Sequence, residues 1–367
     1  MEPTLARHCA SGFDVEIVGG SFAGLACAHA CAARGLRTLV WERKRDVGAS
    51  VHTTGLWVPE AAEAWDPPLD ASRRIHGVRL YGPSLRWIDL DAPGYAFLAT
   101  DTPAVLRRLA ARALDAGAEL AVGRPFDGHR TAPMLVGADG PSSGVARAAG
   151  LGRNRRFLAG VEVELEGVAD LPERLHVFLD PVLAPGYIGW VVPGVGITQV
   201  GLACREPVRP DLDAFLRRAR SVLDLSAGRR VGVRGGRIPV GGTVRPFAGR
   251  DVVLVGDAAG VVSPLTAGGI HTALASGRAA GIAIASHLLD EGPPPGVALR
   301  GTYPSFTVKR WLRRGFDMQL PAAILDRAID DPRFVALARQ VFFHHRGPFS
   351  PEGRRDLRRP SLDRAAR

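Results

Sequence analysis

Residues 15–42 constrain the fold more than any other stretch of the chain. VEIV at Val15–Val18 runs into Gly19-Gly20-Ser21-Phe22-Ala23-Gly24, and an alanine-rich helical stretch follows to Arg34 and closes on Gly35. TLVW at residues 38–41 reads as a second strand and ends on Glu42, eighteen residues beyond Gly24. Strand, tight turn, helix and strand at this spacing match the βαβ unit that holds the adenosine end of a dinucleotide. Gly19 permits the tight turn, Gly24 lets helix and strand approach, and Gly20, Ser21 and Ala23 keep the turn small. The helix N-terminus then offers unpaired N–H groups and a partial positive charge to a pyrophosphate, with Glu42 placed to accept hydrogen bonds from ribose hydroxyls. Ser21 stands where the usual GxGxxG pattern has glycine, so a purely structural glycine turn is the other reading of this segment taken alone.

Two further segments repeat the theme of an apolar strand ending on an acidic residue. Residues 135–147 read LVGADGPSSGVAR, with Asp139 at the turn, and residues 251–269 read DVVLVGDAAGVVSPLTAGG, followed by a helical stretch from Ile270 into Ala285. An acidic group at the C-terminal end of a strand, just before a helix, lies where open α/β sheets bind ligands. Asp257 is therefore placed to hydrogen-bond a sugar-like chain, and the amides near Gly268, Gly269 and Ile270 to face a polar ring edge. Ordinary Asp-Gly turns are the alternative.

In this order the three motifs resemble the FAD-dependent reductases and monooxygenases that share the glutathione-reductase-like flavin fold. The run GDAAGVVSPLTAGGIHTALASGRAAG is most similar to the geranylgeranyl reductase branch, whereas hydroxylases more often carry His where this chain has Gly260. The resemblance covers residues from about 14 to 290. It implies a Rossmann-like FAD-binding domain, an antiparallel β-sheet substrate domain and a C-terminal helical cap, in an α/β chain. It places Gly19, Gly20, Ser21, Ala23, Gly24, Glu42 and Arg43 on the ADP half of FAD, and Thr53, Thr54, Asp139, Gly256, Asp257, Pro264, Gly268, Gly269 and Ile270 on the remaining contacts. Related reductases often have an arginine where this chain has Thr102; Arg107, Arg108 and Arg43 are the replacements available. No separate NAD(P)H domain is evident, so the expected reductant is NAD(P)H visiting transiently or an electron-donor protein.

Domain boundaries follow from the same reading. Residues 1–13 form an arm, 14–150 and 235–300 the FAD domain with a substrate-side insert at about 50–100, 151–234 the β-sheet domain, 301–349 the cap and 350–367 a basic tail. Thr102-Pro103 reads as a helix N-cap followed by proline, with Leu106, Leu109, Ala110 and Ala113 at helical spacing. Period-two runs between residues 157 and 204 predict an antiparallel sheet. Tyr187 through Pro193 resembles the YxWxFP-type motif of geranylgeranyl reductases, with one extra residue and Val192 in place of Phe. Tyr187 and Trp190 thus line the substrate chamber or serve the core. The proton donor is Tyr187, His52 or an ordered water.

Charge and cysteine content decide little by comparison. The net charge of +10 would favour an anionic partner, but only Lys44 and Lys309 are lysines, and much of the excess sits in the arginine-rich tail. An apolar small molecule is the expected ligand, nucleic acid is not expected, and peripheral contact with a membrane is left open. No run of about eighteen apolar residues reads as a spanning helix, and the start lacks the order of a signal peptide, which points to the cytoplasm. Cys27 and Cys31, four apart with His29 between them, and the adjacent His344 and His345 do not converge on a point, so no metal is expected. The favoured reaction is hydride transfer to a carbon–carbon double bond of an apolar, isoprenoid-like substrate. The alternatives are flavin-dependent hydroxylation or epoxidation and non-redox cyclisation. Halogenation is disfavoured because the WxWxIP signature is half present and neither lysine is well placed.

Overall fold

The computed structural model describes residues 12–343 apart from 66, 68 and 319. The arginine-rich tail, Cys9, His344 and His345 lie outside the described residues. The chain begins β1 (Val15–Val18), α1 (Phe22–Ala32), β2 (Thr38–Glu42), β3 (Leu56–Trp57), α2 (Pro59–Trp65), β4 (Ser72–Ile75), β5 (Val78–Tyr81), β6 (Trp87–Leu90), β7 (Phe97–Thr100), α3 (Thr102–Asp115), β8 (Glu119–Val122), β9 (Met134–Gly137) and α4 (Gly144–Ala148). It continues β10 (Phe157–Glu166), β11 (Leu175–Phe178), β12 (Gly189–Pro193), β13 (Thr198–Arg205), α5 (Leu212–Arg220), β14 (Arg229–Pro239), β15 (Val252–Leu254), α6 (Ile270–Leu288), α7 (Pro295–Ala298), α8 (Thr307–Asp317), α9 (Ala322–Ala328) and α10 (Pro332–Phe343).

Among the described residues, five parallel strands in the order β15-β9-β1-β2-β8 form a Rossmann-type sheet. Strands β1, β2, β9 and β15 are short and nearly all buried because helices cover them, as parallel sheets require, while the edge strand β8 is partly exposed. Helix α1 is apolar on all sides, with ten of its eleven residues buried, so it is sandwiched between β-strands and α6. Small residues make that contact close: a Cβ on Gly277 of α6 would stand 2.1 Å from the Ala23 carbonyl oxygen, and one on Gly281 would stand 2.6 Å from that of Cys27. Cys27 and Cys31 are fully buried packing residues on this face.

The second sheet has seven strands, β14-β10-β13-β12-β11-β5-β6. The expected antiparallel runs pair as such from β14 to β11, but β11 meets β5 in parallel, so the sheet is mixed. Residues 78–90 thereby join the sheet formed mainly by residues 157–239. One face packs against α5 through Val163, Leu165, Val200, Leu202 and Phe215; the other looks toward the Rossmann-type sheet.

Two local expectations are corrected. The N-cap of α3 is Asp101, not Thr102: its carboxylate accepts the Ala104 N–H at 3.1 Å, while Thr102 and Pro103 are the first helical residues. The helical cap expected over residues 301–349 contains, where the sequence reads as helical from Trp311 to Leu325, two helices and not one, because Pro321 cannot continue α8 and instead opens α9.

Candidate active site

The C-terminal ends of β1, β9 and β15 and the inner face of the mixed sheet enclose a cavity of about 1480 Å³ that runs from the Gly19 turn to the helical cap. A pocket for one small ligand is typically ~300–1,000 Å³, so this space accommodates an extended dinucleotide together with a second molecule.

At the first end, Gly19 has φ +111°, and a Cβ there would stand 2.3 Å from the Ala138 carbonyl oxygen. A Cβ on Gly24 would stand 1.9 Å from the Gly19 carbonyl oxygen, so these two positions admit only glycine. Glu42 is buried, and its carboxylate accepts the N–H of Gly20 at 2.7 Å and that of Lys44 at 2.8 Å, which ties the end of β2 to the turn. Ser21 precedes α1 without a side-chain cap, and no acidic residue occupies the first turn, so the helix presents its amides and positive end to the cavity.

Asp139 accepts the N–H groups of Gly144 and Val145 through Oδ2, at 2.7 and 3.1 Å, and thereby fixes the start of α4. Its Oδ1 is buried and has no hydrogen-bond partner among the described residues. Asp257 follows β15 and lines the cavity, and burial alone pushes its carboxyl up to about 6. Beyond it the chain folds into a closed loop: Ser263 N–H donates to the Gly268 carbonyl at 3.0 Å, Ala267 N–H donates to the Ser263 carbonyl at 2.9 Å, and Ala267 takes φ +52°. This loop delivers Gly268, Gly269 and the uncapped start of α6 at Ile270 to the cavity wall.

Of the expected cofactor contacts, Gly19, Gly20, Ser21, Ala23, Glu42, Arg43, Thr53, Thr54, Asp139, Gly256, Asp257, Gly268, Gly269 and Ile270 line this one cavity. Gly24 and Pro264 do not; Gly24 shapes the turn from behind, and the Pro264 carbonyl accepts from Arg313 at 3.5 Å. Among the arginines considered as replacements at Thr102, Arg43 lines the cavity, whereas Arg107 pairs with Asp46 at the surface. An orphaned carboxylate oxygen, a desolvated aspartate, a helix N-terminus and a glycine cradle together fit the polar groups of FAD: hydroxyls for Asp139 and Asp257, pyrophosphate for α1.

The far wall comes from the mixed sheet. Across β14, β10, β13 and β12, Arg234, Glu162, Gly201 and Trp190 stand in one cross-strand row. A Cβ on Gly201 would stand 2.6 Å from the indole of Trp190, so glycine there lets the indole lie across the sheet. Trp190 Nε1 donates to Glu162 Oε2 at 2.7 Å, and Thr54 Oγ1 donates to the same oxygen at 2.6 Å. Arg234 pairs with Glu164, donates to the Thr53 carbonyl at 2.8 Å and sits 3.7 Å from Glu162 Oε1. Burial pushes the Glu162 carboxyl up, against the opposing pull of its two hydrogen bonds and of Arg234.

Both residues considered as proton donors line the cavity. Tyr187 donates its hydroxyl to the Thr266 carbonyl at 2.5 Å, and burial raises its pKa, so its proton is committed to holding the glycine loop. His52 is exposed, with Nδ1 3.0 Å from the Gly235 carbonyl. Glu162 and Arg234 were not legible as site residues. In VEVELE the alternation assigns all three glutamates to the polar face, which for a lone amphipathic strand means solvent. Only the tertiary arrangement covers that face with the Thr53–Thr54 segment. Among the described residues no cluster of His, Cys, Asp or Glu is arranged to hold a metal ion.

The profile of the family described as FAD dependent oxidoreductase matches residues 14–206. Digeranylgeranylglycerophospholipid reductase 2 of Methanopyrus kandleri is 30% identical over 313 residues, covering 76% of this chain and 78% of that protein. Digeranylgeranylglycerophospholipid reductase 1 of the same organism is 31% identical over 307 residues, covering 73% and 79%. Among solved structures, a geranylgeranyl bacteriochlorophyll reductase-like protein from Thermoplasma acidophilum superposes with a TM-score of 0.80 at 23% identity, covering 94% of this chain and 99% of that one. A myxobacterial chondrochloren halogenase reaches 0.66 at 17% identity, covering 92% and 91%. At these identities the two structures speak for the fold.

Proposed function

Because the chain belongs to the FAD-dependent oxidoreductase family, we propose that its particular reaction is the reduction of a carbon–carbon double bond in an apolar, isoprenoid substrate. The observation that carries this reading is the chamber between the glycine loop and the cap, walled by Leu80, Phe97, Leu175, Ile188, Phe334 and Val341. Such a wall suits a hydrocarbon chain and excludes water from the reacting carbons. The relatives that share about three quarters of its length are digeranylgeranyl lipid reductases by name. Gly260 supports reduction over hydroxylation: it has φ +66°, and a Cβ would stand 2.5 Å from the Gly242 carbonyl oxygen, so the histidine that hydroxylases more often carry there has no room.

FAD, when bound and reduced, supplies the hydride. The protein's part is to hold the ring edge with the Gly268–Gly269 loop, anchor the polar chain at Asp257 and Asp139, and seat the alkene in a dry chamber. The reductant is NAD(P)H or an electron-donor protein. Anaerobic photoreduction followed by mixing with a geranylgeranyl lipid is expected to reoxidise the flavin and yield a product two hydrogens heavier. NAD(P)H oxidation coupled to a hydroxylated product would overturn the reading, and product isomerised without flavin oxidation would mark a cyclase.

The chamber opens at the cap, where Phe316 and Leu337 both line it and reach the surface. On and beside the cap helices α8 and α9, Trp311 (66% exposed), Met318 (72% exposed) and Ile324 stand exposed, as do Arg310, Arg314 and Arg327. We infer that this rim rests on an anionic lipid surface from which the substrate enters. Apolar side chains fringed by arginine match the interfacial pattern. Among the described residues no helix is long and apolar enough to cross a membrane.

A further inference from the structure

Reducing an alkene needs a proton as well as a hydride, and of the two donors considered so far His52 is exposed with its Nδ1 on the Gly235 carbonyl. The Tyr187 hydroxyl is held by the Thr266 carbonyl. The mixed sheet carries a better candidate. Glu162 is 4% exposed in the middle of β10, and two carboxylates, Glu162 and Glu164, share the single guanidinium of Arg234. With both ionised, the trio would hold a net negative charge in a largely desolvated wall, which is costly. A proton on Glu162 removes that cost.

The geometry also gives the proton one exit. Glu162 Oε1 is buried and has no hydrogen-bond partner among the described residues, while Oε2 meets the Thr54 hydroxyl at 2.6 Å and the Trp190 N–H at 2.7 Å. Thr54 lines the cavity and belongs to the segment that Arg234 clamps at the Thr53 carbonyl. When Oε2 is protonated it donates to Thr54 Oγ1, which frees the threonine hydrogen to point into the chamber. The indole N–H stabilises the carboxylate left behind. The Trp190 ring, alongside, offers a π-face to positive charge developing on the substrate.

We propose that Glu162 and Thr54 form a two-residue proton relay that completes the reduction, with Thr54 as the group touching the substrate and Glu162 as the reservoir behind it. The inference rests on the reductase reading above. One alkene carbon takes the threonine proton, with the π pair forming the new C–H bond, and Thr54 Oγ1 recovers a proton from Glu162. The other carbon takes a hydride with its electron pair from the reduced flavin, which is left oxidised by two electrons. Water reprotonates Glu162, and the two-electron donor restores the flavin.

The test uses the full-length, FAD-loaded protein with a geranylgeranyl lipid. Glu162→Gln keeps an oxygen for Thr54 and Trp190, so flavin content and near-ultraviolet dichroism should match wild type, while single-turnover flavin reoxidation falls by roughly 10²-fold or more. Thr54→Val should lose a similar factor and Thr54→Ser should restore most of it. Wild-type turnover should fall as pH rises through the Glu162 titration, and Glu162→Gln should lack that limb. Infrared difference spectra without substrate give a separate readout: a protonated-carboxyl C=O band present in wild type and in Thr54→Val, and missing in Glu162→Gln. Full-rate turnover by Glu162→Gln with an unchanged pH profile would overturn the relay, as would the lack of that band in wild type. If wild type itself does not reoxidise on mixing, the reductase reading falls and the relay with it; an active wild type matched by Glu162→Gln removes the relay alone.

Discussion

Asp257 combines a ligand-facing carboxylate with a pKa pushed up to about 6 by burial, and that combination fixes a pH signature. An aspartate whose folded pKa exceeds its unfolded value binds more protons in the native state, so the apoprotein gains stability as pH falls through 6 and has lost that gain above it. The effect is on the order of 1–3 kcal/mol after allowance for partial exposure. Asp257→Asn should therefore flatten the rise in apoprotein Tm between pH 7 and pH 5, and should lower flavin occupancy because an acceptor for the cofactor hydroxyls is lost. Thermal scans at the two pH values and the ratio of flavin to protein absorbance measure both. At this scale the sequence was most informative where chemistry and backbone geometry coincide. Gly19 meets Gly24, and Gly20 meets Glu42, through contacts within a single βαβ unit. Glu162 was not legible, because its partners Thr54, Trp190 and Arg234 arrive from segments up to about a hundred residues away.

The contact between α1 and α6 is set by backbone approach. Gly277 faces the Ala23 carbonyl and Gly281 the Cys27 carbonyl, so the small residues of GIHTALASGRAAG form the groove in which α1 lies. Gly277→Val should force the helices apart, lower stability by about 1–3 kcal/mol as overpacked cores do, and displace the α1 N-terminus. A drop in Tm accompanied by weaker FAD retention on gel filtration is the expected result; unchanged values of both would contradict the close packing. Helices and strands were readable from period and punctuation, since those signals are local. The parallel pairing of β5 with β11 was not, because an alternating four-residue strand specifies a buried face and leaves its neighbour unnamed. The cap of α3 shifted by one residue for a similar reason: Asp101 and Thr102 are both good caps, and only φ and ψ distinguish them.

The cap, the mixed sheet and the glycine loop meet at one buried cation. Arg313 of α8 is 1% exposed; it donates to the Gly186 carbonyl at 2.7 Å and approaches Asp317 at 3.4 Å, besides its contact with Pro264. Through that residue α8, which bears Trp311, leads into Met318 and lines the chamber with Phe316, is tied to the glycine loop and to the turn at Gly186. Replacing Trp311 and Met318 together with Glu should reduce co-sedimentation with vesicles containing anionic phospholipid several-fold while leaving turnover of detergent-dispersed substrate unchanged. Equal binding by the variant and wild type would rule out this rim as the lipid contact. The order β15-β9-β1-β2-β8 has a further consequence for biosynthesis. The central strand of the nucleotide sheet is the first to leave the ribosome, and one of its edge strands, carrying Asp257 just beyond it, is made more than two hundred residues later. Pairings so distant in sequence close late. The cradle that joins the Gly19 turn to Asp257 and the start of α6 is therefore complete only once α6 has been made.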